Sequence, residues 1–358
     1  MQLPFLRLRS KSIVGLDIGS SCVKAVEVAP RGDGFELLHL GIAPLPHDAI
    51  VDGAFLNSAA IADAIREAVA KSGTKARAAA AAVSGHSVIV KKISVPAMTV
   101  EELEESIRWE AEQYIPFDVN EVNLDFEVLQ HGDAERPMEV LLVAAKRDLI
   151  DDYVNLIGEA GLSPAVIDVA GFAVENAFEA NYEPGPEDVV AVVNIGAAVT
   201  NINVVSGGVP AFTRDISTGG NQYTAEIQRA LSIGFDEAER IKIGEPSARE
   251  SQDVVPQEVE QAMRSVTTNL VGEIARSLDF FAATAAETRI QRVVLAGGSA
   301  RVPGIDTVFR ERTGLEVEIL NPLHKMMPSN RFDPEFLAQV GPALGVGVGL
   351  ALRRVDES

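Results

Sequence analysis

The sequence SIVGLDIGSSCVKAVEV, residues 12–28, joins two β-rich runs through a Gly-Ser-Ser turn. Apolar, β-branched residues on both sides of a short turn predict a β-hairpin, and residues 35–40 offer a third strand. Residues 57–71 are expected to form a helix, because apolar residues recur there every four positions and a glycine follows. The chain is therefore predicted to begin with an α/β domain.

A related stretch, VVAVVNIGAAVTNINVV, occupies residues 189–205. Asn194 stands there in the place of Asp17, and Gly196 in the place of Gly19. Two such hairpins, about half the chain apart, predict an internally duplicated α/β architecture with two facing phosphate loops.

A third glycine turn follows a buried-looking strand in RVVLAGGSARVPG, residues 292–304, and a helix is expected to begin near Ile305. A long helical stretch over residues 257–287 precedes it. The tail over residues 341–352 reads as a helix rich in small residues. Because small side chains let helices approach closely, this helix is expected to pack across the hinge between the two halves.

A different unit lies between the first two loops. Thr99 and Glu102 fit a capping box that opens a helix, predicted to run through about Tyr114. Strands over residues 124–129 and 139–145 and a helix over 148–160 complete a βαββα-like subdomain inserted in the first half.

Trp109 lies nearly opposite the apolar face of the helix that follows Thr99. It is expected either to pack under a neighbouring element or to be exposed for a partner, and the sequence leaves both alternatives open.

The residue types in the three loops suit a nucleotide. The turn at Gly19, Ser20 and Ser21 offers backbone N–H groups and hydroxyls, since glycine permits close approach and clustered amides favour anions. Asp17 ends the incoming strand, and Lys24 lies on the outgoing one. Because magnesium prefers oxygen ligands and keeps several waters, one carboxylate acting through water is a reasonable metal contact.

Two further groups extend this hypothesis. Glu239 and Lys242 are three residues apart and so share one helix face, where they would either meet the ribose and adenine edge or form a surface ion pair. The turn from Gly297 to Ser299 would let an adenosine lie against bare backbone, although such a turn also joins strands to helices in other settings.

Composition excludes several functional classes. The 358-residue chain carries a formal net charge of −21, which argues against nucleic acid and against broad attraction to anionic lipid. Cys22 is the single cysteine, so no internal disulfide is possible, and it is expected to be a small buried hydrophobe. The five histidines lack ligand-like spacing, which argues against a metal held by His or Cys. Residues 1–11 do not resemble a signal peptide, and no apolar run reaches the length of a membrane span.

In this order, the three loops resemble those of the actin and sugar-kinase superfamily. Residues 17–24 look like its phosphate-1 loop, 194–200 like its phosphate-2 loop and 297–299 like its adenosine loop. The resemblance implies an α/β actin-like ATPase fold of duplicated RNase H-like domains, with ATP and Mg²⁺ as cofactors and Asp17 contacting the metal through water. The nucleotide-binding residues it implies are Asp17, Gly19, Ser20, Ser21, Lys24, Asn194, Gly196, Thr200, Gly219, Gly220, Glu239, Lys242, Gly297, Gly298 and Ser299.

A closer resemblance is carried by KISVPAMTVEELEESIRWEAEQYIPF, residues 92–117, and VLLVAAKRD, residues 140–148. Both are similar to the PilM family of type IV pilus assembly proteins, and the insertion resembles subdomain 1C of the FtsA-like branch. The implied division is 12–86 with 165–188 as subdomain 1A, 87–164 as 1C, 189–218 with 288–352 as 2A, and 219–287 as 2B.

The PilM resemblance implies a cytoplasmic adaptor, peripheral at the inner membrane, that captures the cytoplasmic N-terminal segment of the bitopic protein PilN. Other pilus motor or platform proteins are further possible partners. The family's groove lies between subdomains 1A and 1C, which makes Trp109, Tyr114 and Phe117 candidates for partner binding. An FtsA-like, filament-forming, membrane-associated ATPase is the alternative, and a small-molecule kinase is a third class, for which no persuasive catalytic base is found.

Two departures from the superfamily bear on catalysis. Asn194 stands where the second phosphate loop usually carries Asp, so it lacks the charge that favours magnesium and polarises water. The PilM pattern Asp-Val-Glu reads Asp168-Val-Ala170 in this chain, so a carboxylate that could assist hydrolysis is missing. ATP binding with slow or negligible hydrolysis is expected.

Overall fold

The fold comes from a computed structural model that describes residues 12–32, 34–133, 135–244, 257–285 and 288–353. The expectation of no signal peptide in residues 1–11 lies outside the described residues. In the described ranges, no helix has both the length and the apolar character needed to cross a bilayer.

The strands, in chain order, are β1 (Ile13–Ile18), β2 (Cys22–Arg31), β3 (Gly34–Pro44), β4 (Ile50–Val51), β5 (Ala54–Phe55), β6 (Ala78–Val83), β7 (Val88–Val95), β8 (Val122–Gln130), β9 (Met138–Lys146), β10 (Ser163–Val169), β11 (Val189–Ile195), β12 (Thr200–Ser206), β13 (Val209–Ile216), β14 (Arg292–Ala296), β15 (Glu316–Ile319) and β16 (Met327–Pro328). The α-helices are α1 (Ser58–Ser72), α2 (Val100–Ala111), α3 (Arg147–Glu159), α4 (Ala170–Tyr182), α5 (Asn221–Leu231), α6 (Phe235–Ile243), α7 (Gln257–Thr284), α8 (Ile305–Thr313), α9 (Pro334–Val340) and α10 (Gly345–Ala351). Short 3₁₀ helices cover Val119–Glu121, Gly298–Arg301 and Gly341–Leu344.

Two sheets repeat one five-strand pattern. The first has the order β10-β6-β1-β2-β3, with β16 added at its edge, and the second has the order β15-β14-β11-β12-β13. Three strands of each sheet pair antiparallel, β1-β2-β3 in the first and β11-β12-β13 in the second. The other two continue the sheet in parallel pairing, as β10-β6-β1 and β15-β14-β11. The predicted internal duplication is therefore confirmed strand by strand.

The inserted unit has the predicted βαββα order: β7, α2, β8, β9 and α3. Its three strands form a separate sheet in the order β7-β9-β8. The capping box at Thr99 and Glu102 is present. Helix α2 ends at Ala111, so the predicted end near Tyr114 was wrong. The next residues turn tightly, with Tyr114 N–H donating to Ala111 O, and Pro116 then disfavours helical backbone at Ile115.

Helix α10 lies where the two halves meet. A shared apolar cluster joins residues of β1 and β6 to residues of β11 and β14 through α4 and α10. Gly15 in β1 is required by this packing, because a Cβ there would lie 2.2 Å from the carbonyl oxygen of Gly347 in α10. The small-residue tail thus packs at the junction, as its composition predicts.

Candidate functional site

A cavity of about 1380 Å³ opens between the two halves. Its wall includes the turns that follow β1, β11 and β14, the loop between β6 and β7, and parts of α3, α6 and α7. This placement follows the duplication, since the turns after the equivalent strands β1 and β11 both line the cavity.

The first turn carries a buried ion pair. Asp17 and Lys24 are directly opposite each other on β1 and β2, and Lys24 Nζ donates to Asp17 Oδ2 at 2.8 Å. Burial alone would lower the pKa of Lys24, but the charge and hydrogen bond of Asp17, together with smaller contributions from Cys22, raise the net pKa. Gly19, Ser20 and Ser21 line the cavity between the paired residues.

The second turn carries a neutral counterpart of that pair. Asn194 and Asn201 are directly opposite on β11 and β12, with the same seven-residue separation as Asp17 and Lys24. Asn194 Nδ2 donates to Asn201 Oδ1 at 2.8 Å, and both residues line the cavity. Gly196 closes the turn, with its N–H donating to Val199 O at 3.0 Å.

The third turn packs against the second. Gly297 has φ of 90°, and a Cβ there would lie 2.3 Å from Ile195 O, so only glycine fits. Ser299 Oγ donates to Gly196 O at 3.2 Å, which ties the two turns together. Gly297, Gly298 and Ser299 all line the cavity, with bare backbone at its surface.

Glu239 and Lys242 lie on the cavity wall and also bind each other. Lys242 Nζ lies 2.6 Å from Glu239 Oε2, so the two residues form an ion pair while lining the cavity, and their contact with a ribose and adenine stays a prediction. Thr224 of α5, which the sequence did not single out, donates to Glu239 and accepts from Lys242 at 3.1 Å. Lys242 also donates to Gly220 O at 3.3 Å.

Three predicted residues lie behind the wall rather than on it. Thr200 is fully buried, and its Oγ1 donates to Thr218 O at 2.7 Å. A Cβ on Gly219 would lie 2.5 Å from Gly196 O, and one on Gly220 would lie 2.3 Å from Ser299 Oγ. These glycines thus have a packing reason for their identity, since they let α5 begin directly against the second and third turns.

The wall contains charged residues that the sequence did not suggest. Besides the predicted Asp17, Lys24, Glu239 and Lys242, eight charged residues line the cavity: Asp52, Asp148, Asp152, Glu260, Glu311, Lys146, Arg264 and Arg301. The wall thus carries seven acidic and five basic side chains. A polyphosphate entering this net acidic wall would need a cation beside it, which suits a magnesium-bound nucleotide. Tyr153 also lines the wall, and burial, with the Asp17 charge adding to it, raises the pKa of its phenol.

Cys22 is not fully buried, so its assignment as a buried hydrophobe was wrong. It is partly exposed in the cavity wall, because β2 begins at this residue directly after the first turn. The two halves also meet where His47 stacks on Phe235, the first residue of α6, with ring centroids 4.4 Å apart.

The three partner candidates differ in exposure. Trp109 is 75% exposed on α2, so the alternative of a tucked side chain was wrong. Tyr114 and Phe117 are partly buried against the core of the inserted unit. Lys146 Nζ lies 4.7 Å from the centre of the Phe117 ring, and Lys146 itself lines the cavity.

The two departures from the superfamily pattern have definite places. Ala170 lines the cavity, so the side chain of a glutamate at this position would be attached at the cavity wall. Asp168 is buried outside the wall and pairs with Arg353 at 2.8 Å. Burial raises the pKa of Asp168, and the Arg353 charge opposes that rise. Within the described ranges, no three His, Cys, Asp or Glu side chains converge as a metal site.

Comparison with known proteins identifies relatives of the whole chain. A family model described as type IV pilus assembly protein PilM matches residues 15–355. The solved PilM–PilN type IV pilus biogenesis complex contains a chain that is 32% identical, with a TM-score of 0.84 over 96% of this chain and 99% of that one.

More distant relatives share the fold. Ethanolamine utilization protein EutJ of Salmonella typhimurium is 27% identical over 161 residues, 45% of this chain and 50% of EutJ, so the chain spans about half the length of that curated relative. Cell division protein FtsA of Borreliella burgdorferi is 25% identical over 93% of this chain and 90% of FtsA. The duplicated sheets and these likenesses show an α/β actin-like ATPase fold with an inserted FtsA-like subdomain.

Proposed function

The chain belongs to the family of type IV pilus assembly protein PilM, and on that premise we propose that it is an ATP-binding adaptor that captures the cytoplasmic N-terminal segment of a PilN-like membrane protein. The likeness to the solved PilM–PilN complex, which spans nearly all of both chains, carries this proposal. We further propose that the adaptor lies in the cytoplasm and is held at the inner membrane through its partner, with other pilus motor or platform proteins as further partners.

The cavity supports ATP with Mg²⁺ as the ligand. Its three turns offer backbone at Gly19, Gly196 and Gly297, which suits phosphates and an adenosine. Lys24 would face the phosphates, and Lys242 with Glu239 would face the ribose and adenine. The bound cation would neutralise phosphate charge, and Asp17 would orient its water shell.

Slow or negligible hydrolysis is part of the proposal. Asn194 offers an amide oxygen but no charge, and Ala170 offers no polar group to the cavity at all. A water near the terminal phosphate would then lack a carboxylate base from either position. Nucleotide would stay bound and hold the two halves together.

The partner groove is proposed between subdomain 1A, residues 12–86 with 165–188, and the inserted 1C, residues 87–164. Subdomain 2A would be 189–218 with 288–352, and 2B would be 219–287. Trp109 would stand at the edge of the groove, where its exposure leaves it free to contact a peptide, while Tyr114 and Phe117 would support it from the core of 1C.

Calorimetric titration with a synthetic peptide of the PilN-like N-terminal segment tests the adaptor role. Saturable binding supports it, and an affinity that differs with and without the non-hydrolysable analogue AMPPNP and Mg²⁺ would make the protein a nucleotide switch. If the peptide fails to bind in either state while nucleotide binds, the partner assignment is wrong. Sedimentation with ATP and Mg²⁺ separately tests the FtsA-like alternative of filament formation.

The single cysteine offers an internal test of the nucleotide site. Since Cys22 lines the cavity, bound AMPPNP with Mg²⁺ should slow its reaction with a thiol reagent, and a Cys22→Ser variant should give no signal. Lys242→Met should weaken both binding and protection. Lys75→Met, which changes an exposed lysine, is the matched control.

A further inference from the structure

A chain of hydrogen bonds leads from the cavity into the second sheet. Asn194 Nδ2 donates to Asn201 Oδ1 at 2.8 Å, and Asn201 Nδ2 donates to Asp215 Oδ1 at 2.8 Å. The other carboxylate oxygen, Asp215 Oδ2, accepts from the backbone N–H of Gly85 at 2.6 Å. The three side chains are directly opposite one another on β11, β12 and β13, so they form one row across the sheet.

The donor-to-acceptor direction along this row is fixed at the end formed by Asp215 and Gly85. A backbone N–H can only donate, and an ionised carboxylate can only accept. Asn201 must therefore turn its NH₂ group towards Asp215 and its oxygen towards Asn194. Asn194 must in turn use its NH₂ group for Asn201, which leaves Asn194 Oδ1 as the end of the amide that remains for the cavity.

We propose that Asp215 is a positioning residue of the nucleotide site, which sets Asn194 to present an oxygen acceptor to the water shell of magnesium. The inference rests on the proposed binding of ATP with Mg²⁺. It assigns a role to Asp215 and Asn201, and it makes Gly85, from the other half of the chain, the donor that anchors the row.

The proposal predicts a specific failure for Asp215→Asn. The new amide must keep its oxygen on the Gly85 N–H and so turns its NH₂ group towards Asn201. Asn201 and then Asn194 must both rotate to stay paired, and Asn194 ends with its NH₂ group towards the cavity. Every hydrogen bond in the row is kept, so the change reverses its direction without unpairing a buried group.

A charge swap should restore the direction. In the double variant Asn201→Asp with Asp215→Asn, the residue at 215 accepts from Gly85 and donates to the new carboxylate at 201. That carboxylate accepts from Asn194 Nδ2, so Asn194 again presents its oxygen. The double variant has the same composition and charge as the wild type.

The experiment measures AMPPNP affinity by calorimetry, in Mg²⁺ and in EDTA, for wild type, both variants, Asn194→Ala, and Asn194→Ala combined with Asp215→Asn. The factor by which Mg²⁺ tightens AMPPNP binding should be about tenfold smaller in Asp215→Asn than in the wild type. A tenfold change is the effect of one hydrogen bond of ordinary strength. The affinity of Asp215→Asn in EDTA should be unchanged, and the swap should restore the gain. Thermal unfolding of the nucleotide-free proteins checks that the variants fold.

Three outcomes overturn the proposal. The first is a full Mg²⁺ gain in Asp215→Asn, and the second is a folded swap variant that does not recover the gain. The third is additivity with Asn194→Ala, because a residue acting through Asn194 should add nothing once that amide is gone. If the wild type itself fails to bind AMPPNP with Mg²⁺, the proposed nucleotide function falls together with this inference, whereas the three outcomes above leave that function standing.

Discussion

Replacing Gly349 with alanine tests whether α10 is held as tightly as its packing indicates. A Cβ on Gly349 would lie 1.6 Å from the carbonyl oxygen of Ala173 in α4. Ordinary contact begins near 3.4 Å, so α10 would have to move away from α4 by 3.4 − 1.6 = 1.8 Å. On another side, β1 already approaches so closely that a Cβ on Gly15 would lie 2.2 Å from Gly347 O, which leaves little room for that movement.

The expected cost follows from this confinement. Overpacking in a core typically costs about 1–3 kcal/mol, and we expect the upper end or more because α10 is held by both α4 and β1. Alanine is favoured over glycine in a helix by about 1 kcal/mol, which is too little to compensate. Gly272→Ala in α7 is the matched control, since its Cβ would meet only Arg276 Nη1, at 3.8 Å. The control should therefore gain about 0.5–1 kcal/mol.

Urea unfolding followed by far-UV circular dichroism measures both variants. The same chemical change should shift the midpoint down for Gly349→Ala and up for Gly272→Ala. Nucleotide affinity should fall only in the first, because α10 also approaches Asp17: a Cβ on Gly347 would lie 3.9 Å from Asp17 Cβ. A Gly349→Ala protein as stable as the wild type would refute the inference that α4 and β1 hold α10 in a fixed position.

Three further substitutions test other parts of the structure. Burial, reinforced by neighbouring carboxylates, raises the pKa of Glu175 well above its ordinary value. The contribution of Glu175 to folding stability is therefore fully present below its ordinary pKa and is lost as pH rises through the folded pKa. Glu175→Gln should therefore gain stability over wild type across that pH window in urea unfolding, and a difference that does not change with pH would contradict the assignment. Phe235→Ala removes the stacking on His47, which is worth about 0.5–1.5 kcal/mol. Nucleotide release, measured by stopped-flow displacement, should therefore become up to about tenfold faster. An unchanged rate would mean that the stack does not hold the site closed. Trp109→Ala should leave the urea midpoint within about 0.5 kcal/mol of wild type but weaken binding of the PilN-like peptide by about tenfold, and unchanged calorimetric affinity would remove Trp109 from the groove.

Local sequence signals predicted much of the fold. Both hairpins and the capping box at Thr99 depend on turns and side chains close in sequence, and all were found. The end of α2 was missed because the helical spacing of Tyr114 does not distinguish a continuing α-helix from the tight turn that follows Ala111. The three turns that line the cavity were also found, since each is a glycine turn at the end of an apolar strand.

Residues brought in by tertiary packing were harder to predict. Thr224 comes from a separate helix, and Gly85 comes from the other half of the chain, so nothing local marks either of them. Cys22 was misplaced because its small apolar side chain suits a core as well as a cavity wall. Gly219 and Gly220 were assigned to the ligand, whereas their packing reason depends on how α5 meets two other turns.

The row ending at Gly85 also predicts what restoring the superfamily aspartate would do. In Asn194→Asp, the new carboxylate would face Asn201 Oδ1, so two acceptors would meet in a buried place while Asn201 stays committed to Asp215. The single variant should therefore lose about 1–3 kcal/mol in urea unfolding, rather than simply regain a magnesium contact. Adding Asp215→Asn should recover that loss: the amide at 215 accepts from Gly85 and donates to Asn201, which then donates to the carboxylate at 194. A single variant as stable as the wild type, or a double variant no better than the single one, would show that the direction of the row does not govern this position. On this reasoning, an aspartate at 215 requires an asparagine at 194. The first half carries its negative charge at the turn, on Asp17, whereas the second half carries it two strands away from the turn, on Asp215.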